Sequence, residues 1–264
     1  MKKKIALSLM LVVALLAEAH EFWLEPDKFF YTPGDEAAIR LNVGENFAGE
    51  PWDLTKHKVV KLDWLTASRK ADVSGKLVAG DEAPLKLKLE EEGNHMIVLQ
   101  SNEAFIELEG EKFNEYLKED GLDAIYNRRK QTNALDKPGR EFYSRYAKLL
   151  LQVGDKHDDT YQKVLGLPLE IIPDRNPYGL REGDQVKFKV LFRGKPLFGA
   201  KVMVWNRNNN KVWMQPNYSM KDGTIDVRMG NSGTWMVSVV HMIPTSKPGA
   251  DYESFWGSFV FGMP

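Results

Sequence analysis

Short apolar or alternating runs, separated by turn residues, are the feature that most limits how this chain can fold. Residues 85–89 alternate leucine with lysine, which indicates a strand with one buried face and one solvated face. Turn-forming residues occupy positions 33–35 and 92–94. The pattern predicts a β-sandwich module over residues 20–110. Its expected strands include residues 37–43, 59–65, 85–89 and 95–99.

Residues 111–166 have a different pattern. Apolar residues recur there at helical spacing, as in Phe113, Tyr116 and Leu117, and this predicts two or three short helices. The third helix is expected to carry Tyr143 and Tyr146. Because the segment lies between two β-rich regions, we interpret it as a helical insertion and linker.

Strand patterns return in residues 167–264. Residues 186–192, 200–205 and 233–241 are apolar or alternating, and Asp222 with Gly223 marks a hairpin turn. About seven strands in under a hundred residues are typical of an immunoglobulin-like or transthyretin-like sandwich. The sequence therefore predicts a mainly β fold with two β-sandwich modules and a short helical insertion.

The first nineteen residues have the features of a cleaved signal peptide. Three lysines precede an apolar stretch over residues 5–16, and Ala17, Glu18 and Ala19 form a small-x-small cleavage site. Removal of residues 1–19 leaves His20 as the first residue of the mature chain. We expect a periplasmic or secreted protein with no integral membrane segment after cleavage.

Charge and cysteine content exclude other classes. The chain has a formal charge of −1, and loss of the leader removes three lysines and one glutamate, which leaves a mature charge near −3. This balance predicts no nucleic-acid partner. The chain has no cysteine, so it has neither a disulfide framework nor a lipid-attachment cysteine.

A histidine at a free N-terminus is a metal-binding group. The α-amine and the imidazole of His20 together form a small chelate ring, and copper and nickel favour nitrogen ligands of this kind. His241 closes an apolar strand and is the expected second ligand, and His95 is a weaker candidate. Each has an alternative interpretation: His20 as a solvated terminus, and His241 as a histidine at the edge of the core, hydrogen-bonded to the backbone.

A second polar group is a candidate binding site. Tyr143, Arg145, Tyr146 and Lys148 on one predicted helix could line a pocket for an anion or small ligand. Equally, the helix could pack its tyrosines and expose its cations. No nucleophile elbow, phosphate loop or zinc-helix motif is present in the sequence, so we identify no catalytic residue.

Blocks along the whole mature chain resemble a known family. The stretches that carry the resemblance are residues 20–26, 44–50, 112–117, 143–148, 165–170, 175–178, 192–197, 240–242 and 253–256. They are similar to an exported bacterial family called domain of unknown function 4198. Some members are labelled as the periplasmic component of cobalt or nickel uptake, so the resemblance implies metal binding and a membrane transporter partner. The C-terminal half separately resembles a carboxypeptidase-regulatory-like sandwich, a module that usually does no chemistry.

Three functions compete at this level. The first is a periplasmic metal-binding protein that takes nickel, cobalt or copper through His20 and His241 and hands the ion to a membrane uptake or homeostasis system. The second is a copper-dependent oxidative enzyme that uses the N-terminal histidine. The third is a metal-free binding or scaffold module. We favour the first.

Overall fold

A computed structural model describes residues 21–264 of this chain, so the predicted signal peptide and His20 lie outside the described residues. The described chain is dominated by β-strands, with two α-helices near its centre. The elements in chain order are β1 (Glu21–Pro26), β2 (Phe30–Tyr31), β3 (Glu36–Glu45), β4 (Ala48–Pro51), β5 (Val59–Leu65), β6 (Lys70–Asp72), β7 (Leu85–Lys88), β8 (Gly93–Ser101), β9 (Ala104–Leu108), α1 (Gly110–Glu119), α2 (Asp123–Gln131), β10 (Gly139–Val153), β11 (Leu169–Pro173), β12 (Gln185–Phe192), β13 (Lys195–Pro196), β14 (Lys201–Asn208), β15 (Lys211–Tyr218), β16 (Thr224–Arg228), β17 (Gly233–Pro244) and β18 (Tyr252–Met263).

The strands of the described chain form three sheets. The largest has ten strands in the order β15-β14-β17-β18-β10-β8-β5-β6, with β2 and β9 also paired to β10. A four-stranded sheet contains β1, β3, β4 and β7, and a second contains β11, β12, β13 and β16. The expected strands over residues 37–43, 59–65 and 186–192 are confirmed as parts of β3, β5 and β12. The alternation at residues 85–88 is also confirmed, with the leucines buried and the lysines exposed.

The ten-stranded sheet is covered on both faces. Residues from β1, β3 and β7 pack with residues of β5, β8 and β10 in one apolar core. Residues from β11, β12 and β16 pack with β14, β17 and β18 in another. Two β-sandwich layers therefore share one central sheet, and the predicted mainly β fold is confirmed. Because strands from both ends of the chain meet in this sheet, the expected boundaries near residues 110 and 167 stay a prediction.

The helical insertion is shorter than the sequence predicted. Helices α1 and α2 form as expected and pack through Phe113, Tyr116 and Ile125 against Tyr252 and Trp256 of β18. The third predicted helix is wrong: its residues form β10, which lies between β18 and β8 in the central sheet. A central strand is covered on both faces, so it reads as a continuous apolar run instead of a strict alternation. Within residues 21–264, no helix is long and apolar enough to cross a membrane.

Candidate functional site

The first described residue lies at a small recess. Glu21 begins β1, and with Asp120, Lys201, Ser238 and Ser258 it forms the polar part of a mostly apolar lining around a space of about 20 Å3. The walls come from β1, β14, β17, β18 and the turn between α1 and α2. The recess continues into a wider cleft along α1, where Glu45, Glu115 and Met214 add to the lining.

Asp120 is a half-buried residue of the recess. It directly follows α1, which ends there because Gly121 takes a left-handed φ of 66° against the side chain of Lys201. Among residues 21–264, no group hydrogen-bonds or ion-pairs with the Asp120 carboxyl. Burial raises its pKa well above the usual range, and the nearby Glu21 carboxyl raises it further. The carboxylate also lies at the negative end of a helix, which adds to its instability as an anion.

Glu21 shares this environment. Burial raises the pKa of its carboxyl to about 7, and the Glu45 carboxyl raises it further, whereas the Lys201 ammonium opposes the shift. Lys201 itself donates a hydrogen bond to the Glu119 carbonyl. Two carboxyl groups that are unstable as anions therefore line one recess. A cation placed between them would lower the pKa of both.

A strained hairpin forms the rim of the wider cleft. Asn46 and Phe47, which connect β3 to β4, have φ values of 53° and 56°, as a two-residue I′ turn requires. A phenylalanine is uncommon in this conformation. Its ring is buried, packs edge-on against Trp23 at 5.9 Å between centroids and lies 4.9 Å from the Arg207 guanidinium. This packing offsets the strain and holds Asn46 beside the cleft.

A third perturbed carboxyl lies behind the recess. Glu141 on β10 is buried and accepts hydrogen bonds from the hydroxyls of Ser254 (3.2 Å) and Tyr116 (3.3 Å). Burial raises its pKa to about 8, although the two hydroxyls oppose the shift. Tyr116 stacks on Trp256, whose ring lines the recess. At neutral pH this carboxyl is mostly protonated.

His241 lies on the other side of the central sheet. The neighbouring residues Val240 and Met242 pack toward the helices, on the side of the recess. The His241 ring points the opposite way and packs edge-on against Phe192 at 4.4 Å between centroids. Burial, helped by the Arg193 guanidinium, lowers its pKa to about 4. Within residues 21–264 its ring has no hydrogen-bond partner, and the structure does not bring it to Glu21.

His95 lies in the core with both ring nitrogens engaged. Its Nδ1 accepts a hydrogen bond from Trp64 Nε1 at 3.1 Å, and its Nε2 donates to the Glu91 carbonyl at 2.7 Å. The residue is fully buried, and burial lowers its pKa. A neutral imidazole with both nitrogens in use has no lone pair left for a metal.

The four polar residues predicted to share one helix face lie on a strand instead. On β10, successive side chains alternate between the two faces of the sheet. Lys148 points toward β11 and forms a buried ion pair with Glu170, and Tyr146 packs in the same core. Arg145 points to the opposite face, toward the rings of Tyr143 and Phe22. The predicted common pocket is therefore wrong.

No sequence pattern pointed to the carboxyl groups of the recess. Glu21 and Asp120 lie about a hundred positions apart, and only the docking of α1 on β17 and β18 brings them together. One signal was present: an aspartate at the C-terminal end of a predicted helix, where an anion is electrostatically unfavourable. Among residues 21–264, no three histidine, aspartate or glutamate side chains lie close enough to hold a metal ion by themselves.

These observations define a class of protein: mainly β, with two sandwich layers on a shared sheet and a recess that carboxyl groups help to line. The chain belongs to the family described as Domain of unknown function (DUF4198), whose model matches residues 17–243. No curated protein matches the chain.

The comparison with solved structures includes a crystal structure of Salmonella alpha-2-macroglobulin reacted with methylamine. That chain is 12% identical, and the match covers 91% of this chain and 14% of the other, with a TM-score of 0.24. The present chain thus spans about a seventh of that protein's length, and so weak a likeness carries no argument.

Proposed function

We propose that this protein is an exported metal-binding protein that takes nickel, cobalt or copper at its mature N-terminus and hands the ion to a membrane uptake or homeostasis system. The observation that carries the proposal is the half-buried Asp120 carboxyl, which has no hydrogen bond or ion pair among residues 21–264, although the Lys201 ammonium acts on it, and which lines the same recess as Glu21. His20 precedes Glu21 directly, and consecutive Cα atoms are about 3.8 Å apart. The proposal puts a free N-terminus at His20 next to this recess.

The proposed ligands are the α-amine and imidazole of His20 and the carboxylate of Asp120, with Glu21 beside them. Nitrogen and oxygen donors of this kind suit nickel and copper in square-planar or tetragonal geometry. His241 is left out because its ring lies on the other face of the sheet from the recess, against Phe192. His95 is left out because both of its ring nitrogens already have partners.

The perturbed carboxyls have a role in this proposal. A metal binds the deprotonated form of each ligand, so binding releases the protons that burial holds on Asp120 and Glu21. The affinity of the protein for the metal ion should therefore rise with pH. Release of the ion to a partner is favoured when these groups regain their protons.

The test uses protein that begins at His20, titrated with nickel, cobalt and copper against a competing chelator. Two changes are compared with it: one glycine added before His20, and Asp120→Asn. The glycine moves the α-amine away from the imidazole, and the asparagine removes the charge of the carboxylate. We expect each to weaken binding at least tenfold, whereas His241→Gln leaves it unchanged. Equal affinity for all forms would refute the proposed site.

A metal-free interpretation starts from the same Asp120 carboxyl. The His20 α-amine is itself a cation and can neutralise Asp120 without any metal. In that case Asp120→Asn would destabilise the mature protein, and none of the three metals would raise its melting temperature. The metal proposal requires the opposite result, a rise in melting temperature that depends on Asp120.

A further inference from the structure

Two methionines near the edge of the central sheet differ from those in its cores. The chain has ten methionines and no cysteine, so methionine thioethers are its only side-chain sulfur ligands. Among residues 21–264, the methionines buried in the apolar cores are Met96, Met229, Met236, Met242 and Met263. Met203 on β14 is half-buried, whereas Met214 on β15 is 52% exposed. Both therefore leave part of their side chains outside the packed cores.

The register of β14 and β15 places both methionines on one face of the sheet. Met214 pairs directly with Trp205, and Met203 lies two residues before Trp205 on the same strand. Directly opposed residues share a face, and so do residues two apart along a strand. Met203 and Met214 are therefore diagonal neighbours. Residues in this relation are about 7–8 Å apart, a separation that two long side chains can bridge.

This face of the sheet borders the recess and the wider cleft. Met203 lines both spaces, as Glu21 and Asp120 do, and Met214 lines the cleft. The recess, at about 20 Å3, admits one atom-sized guest, and the cleft of about 550 Å3 leads to it. One thioether therefore lies at the proposed metal site, and a second lies on its open side.

The charges around these spaces favour a cation. Acidic residues of the lining outnumber basic ones: Glu21, Glu45, Glu115, Glu119 and Asp120 against Lys112 and Lys201. The Lys201 ammonium also donates a hydrogen bond to the Glu119 carbonyl, which holds it at the end of α1. A cation that enters the cleft therefore meets more negative than positive groups.

We propose that the ion taken at this site is reduced copper, Cu(I), bound by the thioethers of Met203 and Met214 together with the His20 imidazole. This inference rests on the proposed function, because it uses the same N-terminal histidine. Thioethers are soft ligands that select Cu(I), whereas imidazole also suits nickel and Cu(II). The two methionines thus give the site a preference for copper over nickel and cobalt. The carboxyl groups of Glu21 and Asp120 offset the charge of the ion.

The first test is X-ray absorption at the copper K edge, on protein that begins at His20 and is loaded with Cu(I) in the absence of oxygen. We expect sulfur among the atoms bound to copper, and without cysteine in the chain this sulfur comes from methionine. The signal should be lost in the double variant Met203→Leu, Met214→Leu, which nearly conserves side-chain volume. Met220→Leu is the matched control: Met220 is also exposed but lines neither the recess nor the cleft.

Affinities for Cu(I) and nickel, each measured against a competing chelator, separate this inference from the proposed function. We expect the double variant to bind Cu(I) at least about tenfold more weakly than the parent, since even groups behind the ligands usually change metal affinity by about that much. Its nickel affinity should stay close to that of the parent, which also shows that the variant is folded.

The outcomes that overturn the inference are distinct. If the parent binds none of the metals, the proposed function fails and this inference fails with it. If the parent binds nickel or copper but no sulfur is bound to Cu(I), only this inference is overturned. The same holds if the double variant keeps the parent affinity for Cu(I), or if it loses affinity for Cu(I) and nickel equally.

Discussion

At the scale of single residues, the buried ion pair between Lys148 and Glu170 is the contact whose loss should cost most. Both side chains are nearly inaccessible, at 2% and 1% exposure. The Glu170 carboxylate also accepts hydrogen bonds from the backbone nitrogens of Leu165 (2.8 Å) and Gly166 (3.0 Å). The pair ties the central sheet to the strand β11. The carboxylate is thus fully satisfied, which a buried charge requires.

We expect Glu170→Gln to lower the free energy of unfolding by about 3 kcal/mol, because it leaves the Lys148 ammonium buried without a counter-charge. Urea unfolding measures the change. Asp226→Asn is the control: its pair with Lys187 is about half exposed, and its loss should cost less than about 1 kcal/mol. Similar losses for the two variants would contradict this account of the pair.

Glu141 predicts how stability changes with pH. Its pKa is about 8 in the folded chain against an ordinary value of 4.5, so between these values the folded state holds a proton that the unfolded state has released. Stability from this group is therefore present below pH 4.5 and is lost as the pH rises to about 8. The shifted carboxyls of Glu21 and Asp120 act in the same direction.

We expect Glu141→Gln to reduce the fall in melting temperature between pH 5 and pH 9, because an uncharged amide replaces the carboxyl that ionises. Thermal melting monitored by circular dichroism at several pH values checks this. Glu82→Gln, at an exposed side chain, is the control and should follow the parent profile. An unchanged profile for Glu141→Gln would contradict the assignment.

At the scale of elements, the close approach of α1 to β10 depends on a glycine. A Cβ added at Gly139 would lie 2.2 Å from the ring of Phe113, which is fully buried with the Arg129 guanidinium 4.9 Å from its centre. We expect Gly139→Ala to lower the free energy of unfolding by about 2 kcal/mol through overpacking. Chemical denaturation checks this. Gly75→Ala, where nothing lies within 4 Å, should have little effect.

The elements also show which predictions the sequence supports. Leu85 and Leu87 alternate with exposed lysines, so period two alone identified β7 and its buried face. For β10 the same reasoning failed, because Tyr143 and Tyr146 fit a helical spacing and residues 147–153 show no alternation. Such an apolar run forms a strand here because sheets cover both of its faces. Local pattern succeeded at β8, another buried strand of the central sheet, because residues 95–99 are a short apolar run that follows a turn.

At the scale of the whole molecule, the shared central sheet predicts cooperative unfolding. Strand β10 pairs in parallel with β18 over nine residue pairs and with β8 on its other side. Neither sandwich layer can therefore unfold without disrupting the sheet that both layers share. We expect a single transition in scanning calorimetry, with calorimetric and van't Hoff enthalpies that agree. Two separate transitions would instead favour independent modules, as the sequence alone suggested.

The candidate site could be predicted only in part. The sequence predicted His20 as a ligand because a cleavage site is a local signal, and this stays a prediction; the second ligand depends on the fold. His241 ends an apolar strand, and the direction of its ring depends on which residues of β17 face the helices. The proximity of the Asp120 and Glu21 carboxyl groups depends on how α1 docks on the central sheet, and no local pattern encodes that docking.

The central claim is tested most directly by native mass spectrometry of the protein recovered from its own cells. One spectrum gives both the first residue and any bound ion. The account predicts a chain that begins at His20 and carries one nickel, cobalt or copper ion, which is lost in the Asp120→Asn variant. A chain that begins elsewhere, or one that begins at His20 and stays metal-free after incubation with each of the three ions, would contradict it.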